Sequence, residues 1–151
     1  MGPLIVLVIA FILSLAGTWL TGGHPDEVLS GNVAMCVMLC FTAMGHVFYR
    51  KGMKMMIPAF IPFKDAFVVA TGIFELAAAV GLLFSGYRVI VSWCLIIFLL
   101  LILPANINAA FKRIDYQKGT SDGKGLSYLF FRIPLQVFYI TWIGYFGIIS
   151  A

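Results

Sequence analysis

Five polar side chains lie inside otherwise apolar stretches of this 151-residue chain, where they could do chemistry: Glu75, His46, Asn106, Arg132 and Gln136. An ionised side chain at the centre of a bilayer costs about 2.5–3.5 kcal/mol on the insertion scale, so Glu75 is expected to be functional or paired. Arg132 or His46 could compensate its charge, and the two amides could fill the remaining hydrogen-bond positions. These residues are the predicted ligand-binding site.

Two structural alternatives stay open for the same residues. The polar cluster could serve only to hold neighbouring helices in register, and Arg132 could extend its guanidinium to the membrane surface. Small residues around Glu75, such as Gly72 and Ala78, favour close packing and predict that this helix is central in the bundle. Pro104 predicts a kink beside Asn106.

The elements that must position these residues are five apolar stretches, each near the 20 residues that a helix needs to cross a bilayer. They cover residues 3–20, 32–49, 66–85, 89–111 and 126–150. The composition, 62% hydrophobic and 11% charged, excludes a water-soluble domain. We therefore predict an all-α integral membrane protein with one transmembrane domain, residues 1–151, forming a bundle of five transmembrane helices. The long continuous runs exclude an outer-membrane barrel.

The basic residues indicate an orientation. The loops after the second and fourth stretches carry most of them: Arg50, Lys51, Lys54, Lys64, Lys112, Arg113, Lys118 and Lys124. The positive-inside rule then puts the N-terminus in the cytoplasm and the C-terminus outside, in a multi-pass protein of the cell inner membrane. The basic residues are too few and too scattered for a nucleic-acid partner. The first stretch lacks the basic start of a cleaved signal peptide.

The segment between the second and third stretches, RKGMKMMIPAFIPFKD, mixes basic residues with an apolar run broken by Pro58 and Pro62. It is too short to span a bilayer and too apolar for water. We expect it to lie along the cytoplasmic surface and to cover whatever is beneath it.

Other chemistry has little support. Cys36 and Cys40 lie one helical turn apart, which fits disulfide geometry poorly, and a copper site at the interfacial methionines is a remote alternative. No nucleophile elbow, phosphate-binding loop, HExxH or dinucleotide glycine pattern is present. We predict no metal and no cofactor other than a possible quinone. Whether the protein is an enzyme stays open, and the lack of a standard catalytic motif favours a protein that is not an enzyme.

Several motifs together resemble those of DoxX-like membrane proteins. They are the string GHVFYRKGMKMMIPAFIPFKDAFVVATGIFELAAAVGLL (residues 45–83), PANI (residues 104–107) and RIPLQ (residues 132–136). The resemblance covers about residues 32–150 and implies a four-helix core, to which the first stretch is an addition. The family takes its name from a subunit of a thiosulfate:quinone oxidoreductase, and most members have no assigned activity. The resemblance matches six positions of this sequence to the family's motifs without assigning a role to any of them. They are His46, Pro58, Glu75, Asn106, Arg132 and Gln136.

The leading functional hypothesis is a small membrane protein with an intramembrane polar pocket for a quinone- or isoprenoid-like lipid, accessory to a membrane redox system. The alternative is a non-enzymatic assembly or scaffold subunit, which packs against a membrane protein partner or another copy of itself. A proton-coupled transporter ranks lower because no inverted repeat is visible. An enzyme acting on a lipid through His46 and Glu75 also stays open.

Overall fold

The computed structural model describes residues 2–150, and this part of the chain is built of helices. A single π-helical turn, Tyr145–Ile149, follows the last α-helix, and an isolated bridge between Asp115 and Thr120 closes the long loop before it. The six α-helices are α1 (Gly2–Gly22), α2 (Glu27–Phe48), α3 (Arg50–Met56), α4 (Lys64–Gly81), α5 (Ser85–Phe111) and α6 (Ser127–Gly144). The all-α prediction is confirmed.

Four of these helices are long and apolar enough to cross a membrane: α1, α2, α5, and α6 with its π-helical turn. Such helices are compatible with a multi-pass membrane protein. The helix α4 is also apolar, but its 18 residues include Lys64, Asp65 and Glu75. Its role as a fifth span stays a prediction.

The boundaries of the helices follow local signals. The helix α2 starts one turn before its predicted stretch because Asp26 caps it, accepting a hydrogen bond from the Leu29 N–H at 2.9 Å. The helix α4 starts after Pro62 and Phe63, and Phe63 has a left-handed backbone with φ 52°. It ends at Gly81, four residues before the predicted stretch does, because a tight turn leads directly into α5.

The helix α2 lies at the centre of the bundle. It packs against α1 and α4 along its length, and it also touches α3, α6 and the π-helical turn. The expectation that α4 is central was therefore wrong. The reason is that α2 carries its own buried small residues, Ser30, Gly31, Ala34 and Ala43, so neighbouring backbones approach it from several sides.

One end of the bundle is closed by a polar layer that the sequence did not predict. The Asn32 amide donates to the carbonyls of Val28 and Phe146, at 2.8 and 2.9 Å. The Trp142 indole donates to the Gly31 carbonyl at 3.1 Å. These bonds connect the start of α2 to the end of α6, where the Phe146 ring also packs on Gly31.

The two predicted basic loops meet at the other end of the bundle. The Tyr49 and Tyr116 rings stand edge to face with centroids 6.0 Å apart. Gly119 packs against the Lys51 side chain, and buried Gly52 lies directly against the backbone of Tyr116. The positive charge of the chain is therefore concentrated at one end of the structure.

We predict that Gly52→Ala destabilises the protein by about 1–3 kcal/mol, because a Cβ at this position would overlap the Tyr116 carbonyl oxygen. The matched control is Gly17→Ala in α1, where a Cβ meets nothing within 4 Å. Thermal unfolding of both variants in one detergent checks this. Equal melting temperatures for Gly52→Ala and the wild type would show that α3 does not need this close approach.

Candidate ligand-binding site

A cavity of about 540 Å³ opens at the basic end of the bundle. This volume lies within the range of about 300–1,000 Å³ that is usual for small-molecule sites. The second halves of α2 and α5, residues 67–75 of α4 and the first residues of α1 and α6 form its walls, and most of the lining is apolar. A smaller cavity of about 60 Å³ adjoins it and shares Thr42, Glu75 and Arg132 with it.

The methionine- and proline-containing segment predicted to lie on the membrane surface covers this cavity. Its lining residues are Met53, Met56, Ile57, Pro58 and Ile61. Its backbone is held from two sides, because the Asn108 amide donates to the Met56 carbonyl at 2.6 Å and Lys64 Nζ donates to the Ile57 carbonyl at 3.1 Å.

Asp65 holds α3 to the start of α4. Its carboxylate is 2.6 Å from Lys54 Nζ and 2.9 Å from Arg50 Nε. The hydrogen bond from Lys54 is the main reason why the pKa of Asp65 is lowered, and Arg50 acts in the same direction. Asp65 precedes the predicted stretch 66–85 and is half exposed, so solvent screens this cluster.

Glu75 lies on the wall of the cavity with only 8% of its surface exposed. Thr42 Oγ1 donates to Glu75 Oε2 at 2.9 Å, and His46 Nε2 is 3.5 Å from Glu75 Oε1. Thr42 and His46 are four residues apart on α2, so one face of this helix supplies both contacts. Of the two partners predicted for Glu75, His46 is the one within ion-pair distance.

The other nitrogen of His46 defines its tautomer. His46 Nδ1 is 2.9 Å from the Val68 carbonyl oxygen and 3.2 Å from Thr71 Oγ1. Since the Thr71 hydroxyl donates to backbone carbonyls, both neighbours of Nδ1 accept, and Nδ1 must carry a proton. Nε2 of His46 then faces Glu75 Oε1 at 3.5 Å, so the imidazole and the carboxylate lie side by side on the cavity wall.

Two further predicted residues, Asn106 and Arg132, also line the cavity. The Asn106 side chain is buried, and its Nδ2 has no hydrogen-bond partner among the described residues. The same holds for buried Nε of Arg132, and no carboxylate of residues 2–150 lies within 4.0 Å of its guanidinium. Buried polar atoms are usually paired, so these two donors are candidates for ligand contacts.

Gln136, the fifth predicted residue, lies elsewhere. It is buried between α6 and α5, where its Nε2 donates to the Leu99 carbonyl, and it is not part of the cavity wall. Leu99 lies one turn before Pro104, the proline within α5. The structure thus brings four of the five predicted residues to one cavity and gives Gln136 a helix-packing contact.

Sequence reasoning missed several residues of the site. Thr42 and Thr71 carry hydroxyl groups on apolar helices and were not among the predicted site residues. Thr42 lies four residues before His46, and Thr71 lies four residues before Glu75. That spacing puts each pair on one helix face and was the available signal. Tyr116 and Tyr128 reach the cavity from the long loop and from α6. No sequence signal placed these two residues there.

Within residues 2–150, no three His, Cys, Asp or Glu side chains come together in a way that could hold a metal ion. Cys36, Cys40 and Cys94 are free thiols. The polar atoms of the cavity are instead suited to hydrogen bonds and proton transfer.

A family model described as a domain of unknown function, DUF8561, matches residues 35–146. The match takes in most of α2 and everything from α3 into the π-helical turn, and it leaves α1 outside. The four predicted residues that line the cavity, His46, Glu75, Asn106 and Arg132, all lie within the matched range. No curated protein and no solved structure matches the chain.

The Asp65 cluster predicts a pH dependence. A lowered pKa in the folded protein means that the carboxylate stabilises the contact above the unfolded pKa of about 4, and that this contribution is lost as the pH falls below it. Hydrogen exchange of residues 50–63, corrected for intrinsic rates, should rise below about pH 4 in the wild type. In Asp65→Asn, residues 50–63 should exchange fast at every pH, and their exchange should show no rise below about pH 4. A step of equal size in both proteins would assign it to another group.

The unpaired Asn106 amide predicts an unusual stability effect. Asn106→Leu should leave the free energy of unfolding unchanged or raise it, because it removes a buried donor that has no partner. Gln136→Leu should lower it by about 0.5–1.5 kcal/mol, because a hydrogen bond between α6 and α5 is lost. Denaturant titration in one detergent compares them. If both variants lose the same stability, Asn106 is a packing residue.

Proposed function

The chain belongs to the DUF8561 family, domains of unknown function, and we propose that it binds an apolar molecule with a polar head inside its membrane bundle. A quinone or an isoprenoid lipid is the class of ligand that fits. The observation that carries this proposal is the shared location of Glu75, His46, Asn106 and Arg132 on the wall of one mostly apolar cavity.

The composition of the wall supports an amphipathic ligand. Small-molecule sites typically combine an apolar lining with a few polar groups that fix the orientation of the ligand. Here Glu75 lies on the wall together with His46, Asn106 and Arg132. The segment that covers the cavity, residues 53–61, which we call the covering segment, contributes methionine, isoleucine and proline side chains. Methionine adapts its shape to irregular apolar partners, as a flexible lipid tail requires.

Exposed wall residues support entry from the bilayer. Phe48 and Leu101 both line the cavity, yet 77% and 71% of their surfaces are exposed. The cavity is therefore continuous with the apolar outer surface of the bundle. A lipid tail could remain in the hydrocarbon phase while its head reaches Glu75.

The membrane arrangement is part of the proposal. We place α4 across the bilayer as a fifth span, with Glu75 tolerated because His46 and Thr42 contact its carboxylate. The basic end then faces the cytoplasm, which puts the N-terminus inside and the C-terminus outside a bacterial-type inner membrane. The helices α2, α4, α5 and α6 would form a DoxX-like core with α1 added to it, and the ligand would connect the protein to a membrane redox system.

A second candidate function is that of an assembly or scaffold subunit. The observation that favours it is the exposure of α1, in which Leu7 is the buried residue and a broad apolar surface remains free. In that case the contacts of Glu75 would serve only to hold α2 and α4 in register. A partner in the membrane or a second copy of the chain would then cover α1.

We expect native mass spectrometry of the gently purified protein to show a bound small molecule, with occupancy at least about tenfold lower in Glu75→Gln, because the carboxylate that contacts Thr42 and His46 and arranges the polar wall is lost. Glu27→Gln, an exposed position at the start of α2, is the matched control and should keep the ligand. Unchanged occupancy in Glu75→Gln would sink the proposed role of this residue. A wild type without a small molecule but with a stoichiometric protein partner would favour the assembly subunit.

A further inference from the structure

The donors on the cavity wall specify the charge of the ligand head, an inference that rests on the proposed binding function. We propose that the head is an anion, a carboxylate or a phosphate, held by Arg132 and Asn106. The ligand is then an acidic amphiphile such as a fatty acid or an isoprenoid phosphate, and of the ligand classes proposed above an isoprenoid phosphate fits the wall better than a neutral quinone.

The contacts of Glu75 leave Arg132 without a carboxylate partner. The Glu75 carboxylate contacts two residues of α2, accepting from Thr42 Oγ1 at 2.9 Å and lying 3.5 Å from His46 Nε2. Its oxygens are not within 4.0 Å of the Arg132 guanidinium. Glu75 is therefore engaged with α2 and does not form an ion pair with Arg132.

Arg132 is the remaining charged group on the wall. Its guanidinium is always protonated. The other carboxylates at this end of the bundle are engaged elsewhere: Asp65 with Arg50 and Lys54, Asp115 with Lys118, and Asp122 with the Thr120 hydroxyl. Among residues 2–150 the guanidinium of Arg132 thus has no carboxylate partner in the mostly apolar wall. The Arg132 side chain is partly buried and its Nε is fully buried, so an anionic head in the cavity would compensate the charge and accept from Nε.

The buried donors agree with this charge. The Nε of Arg132 and the Nδ2 of Asn106 are both fully buried and without a partner in the described part of the chain. Each can only donate, so the ligand must present acceptors to both. A quinone carbonyl would accept a hydrogen bond but would leave the arginine charge uncompensated. The oxygens of a carboxylate or phosphate meet both requirements.

The surroundings of the cavity also favour an acidic amphiphile. The two basic loops meet at the end of the bundle where the cavity opens: Gly119 packs against the Lys51 side chain, and Tyr116 of the long loop lines the cavity. Basic clusters at a membrane surface attract anionic lipids and raise their local concentration. An acidic head would be drawn to this end of the bundle, and the apolar wall would accept its tail.

The test uses the full-length protein in phosphatidylcholine nanodiscs and probes with matched tails. Oleic acid is compared with oleyl alcohol, farnesyl phosphate with farnesol, and decylubiquinone serves as the neutral quinone. Binding is measured by native mass spectrometry at a pH at which the acids are ionised. We expect at least one acid to bind about tenfold or more tightly than its alcohol, and the acid that does so identifies the head as carboxylate or phosphate.

Variants of Arg132 test the origin of the preference. Arg132→Gln should abolish the difference between acid and alcohol and leave the affinity for the alcohol unchanged, whereas Arg132→Lys should keep most of it. Arg88→Gln, at the opposite end of the bundle, is the matched control and should keep all of it. If Arg132→Gln does not fold, Asn106→Leu provides a second measurement, with a smaller loss of the preference.

The outcomes separate this inference from the proposed function. If acid, alcohol and quinone bind with equal affinity, or the preference survives in folded Arg132→Gln, the anionic head is refuted and the apolar-ligand function stands. If no probe binds above empty nanodiscs, both proposals fail.

Discussion

The contact between Glu75 and His46 is the constraint on which the rest of the site depends. A carboxylate in an apolar helix must be compensated, and the partner comes from the neighbouring helix α2. Close approach of the two helices is possible because Gly72 faces His46, where a Cβ would lie 3.0 Å from the His46 Cβ. The Val68 carbonyl and Thr42 then fix the histidine and the carboxylate. One face of α2 and one face of α4 together form the part of the cavity wall that carries His46 and Glu75.

Buried polar groups have different partners at the two ends of the bundle. At one end, Asn32 and Trp142 donate to backbone carbonyls of neighbouring elements and join the helices, while the hydroxyls of Ser30 and Ser92 have no partner in the described part of the chain. At the other end, Asn106 and Arg132 keep buried donors without partners, and a cavity separates the helices. Hydrogen bonds between helices stabilise membrane bundles, and the donors of the cavity are left for a ligand of the kind proposed above.

The covering segment explains how one short chain can have both a firm bundle and an accessible cavity. Pro58 and Pro62 prevent a continuous helix between α3 and α4, so the chain crosses over the cavity instead of extending α3. Asn108 and Asp65 hold it from α5 and α4. These few polar contacts attach an otherwise apolar segment to the helices that form the cavity wall.

The sequence by itself determined the helical class, the approximate position of the five long helices but not of α3, the concentration of basic residues in two loops and four of the cavity residues. These features follow from local composition, since apolar runs set helix length and a lone polar residue in such a run is conspicuous. Only the tertiary structure decided that α2 is central, that His46 and not Arg132 contacts Glu75, and that Gln136 contacts α5. It also revealed the role of Thr42 and Thr71. Such facts depend on how helices rotate against each other, and similar apolar surfaces on every side leave that rotation undetermined in one sequence.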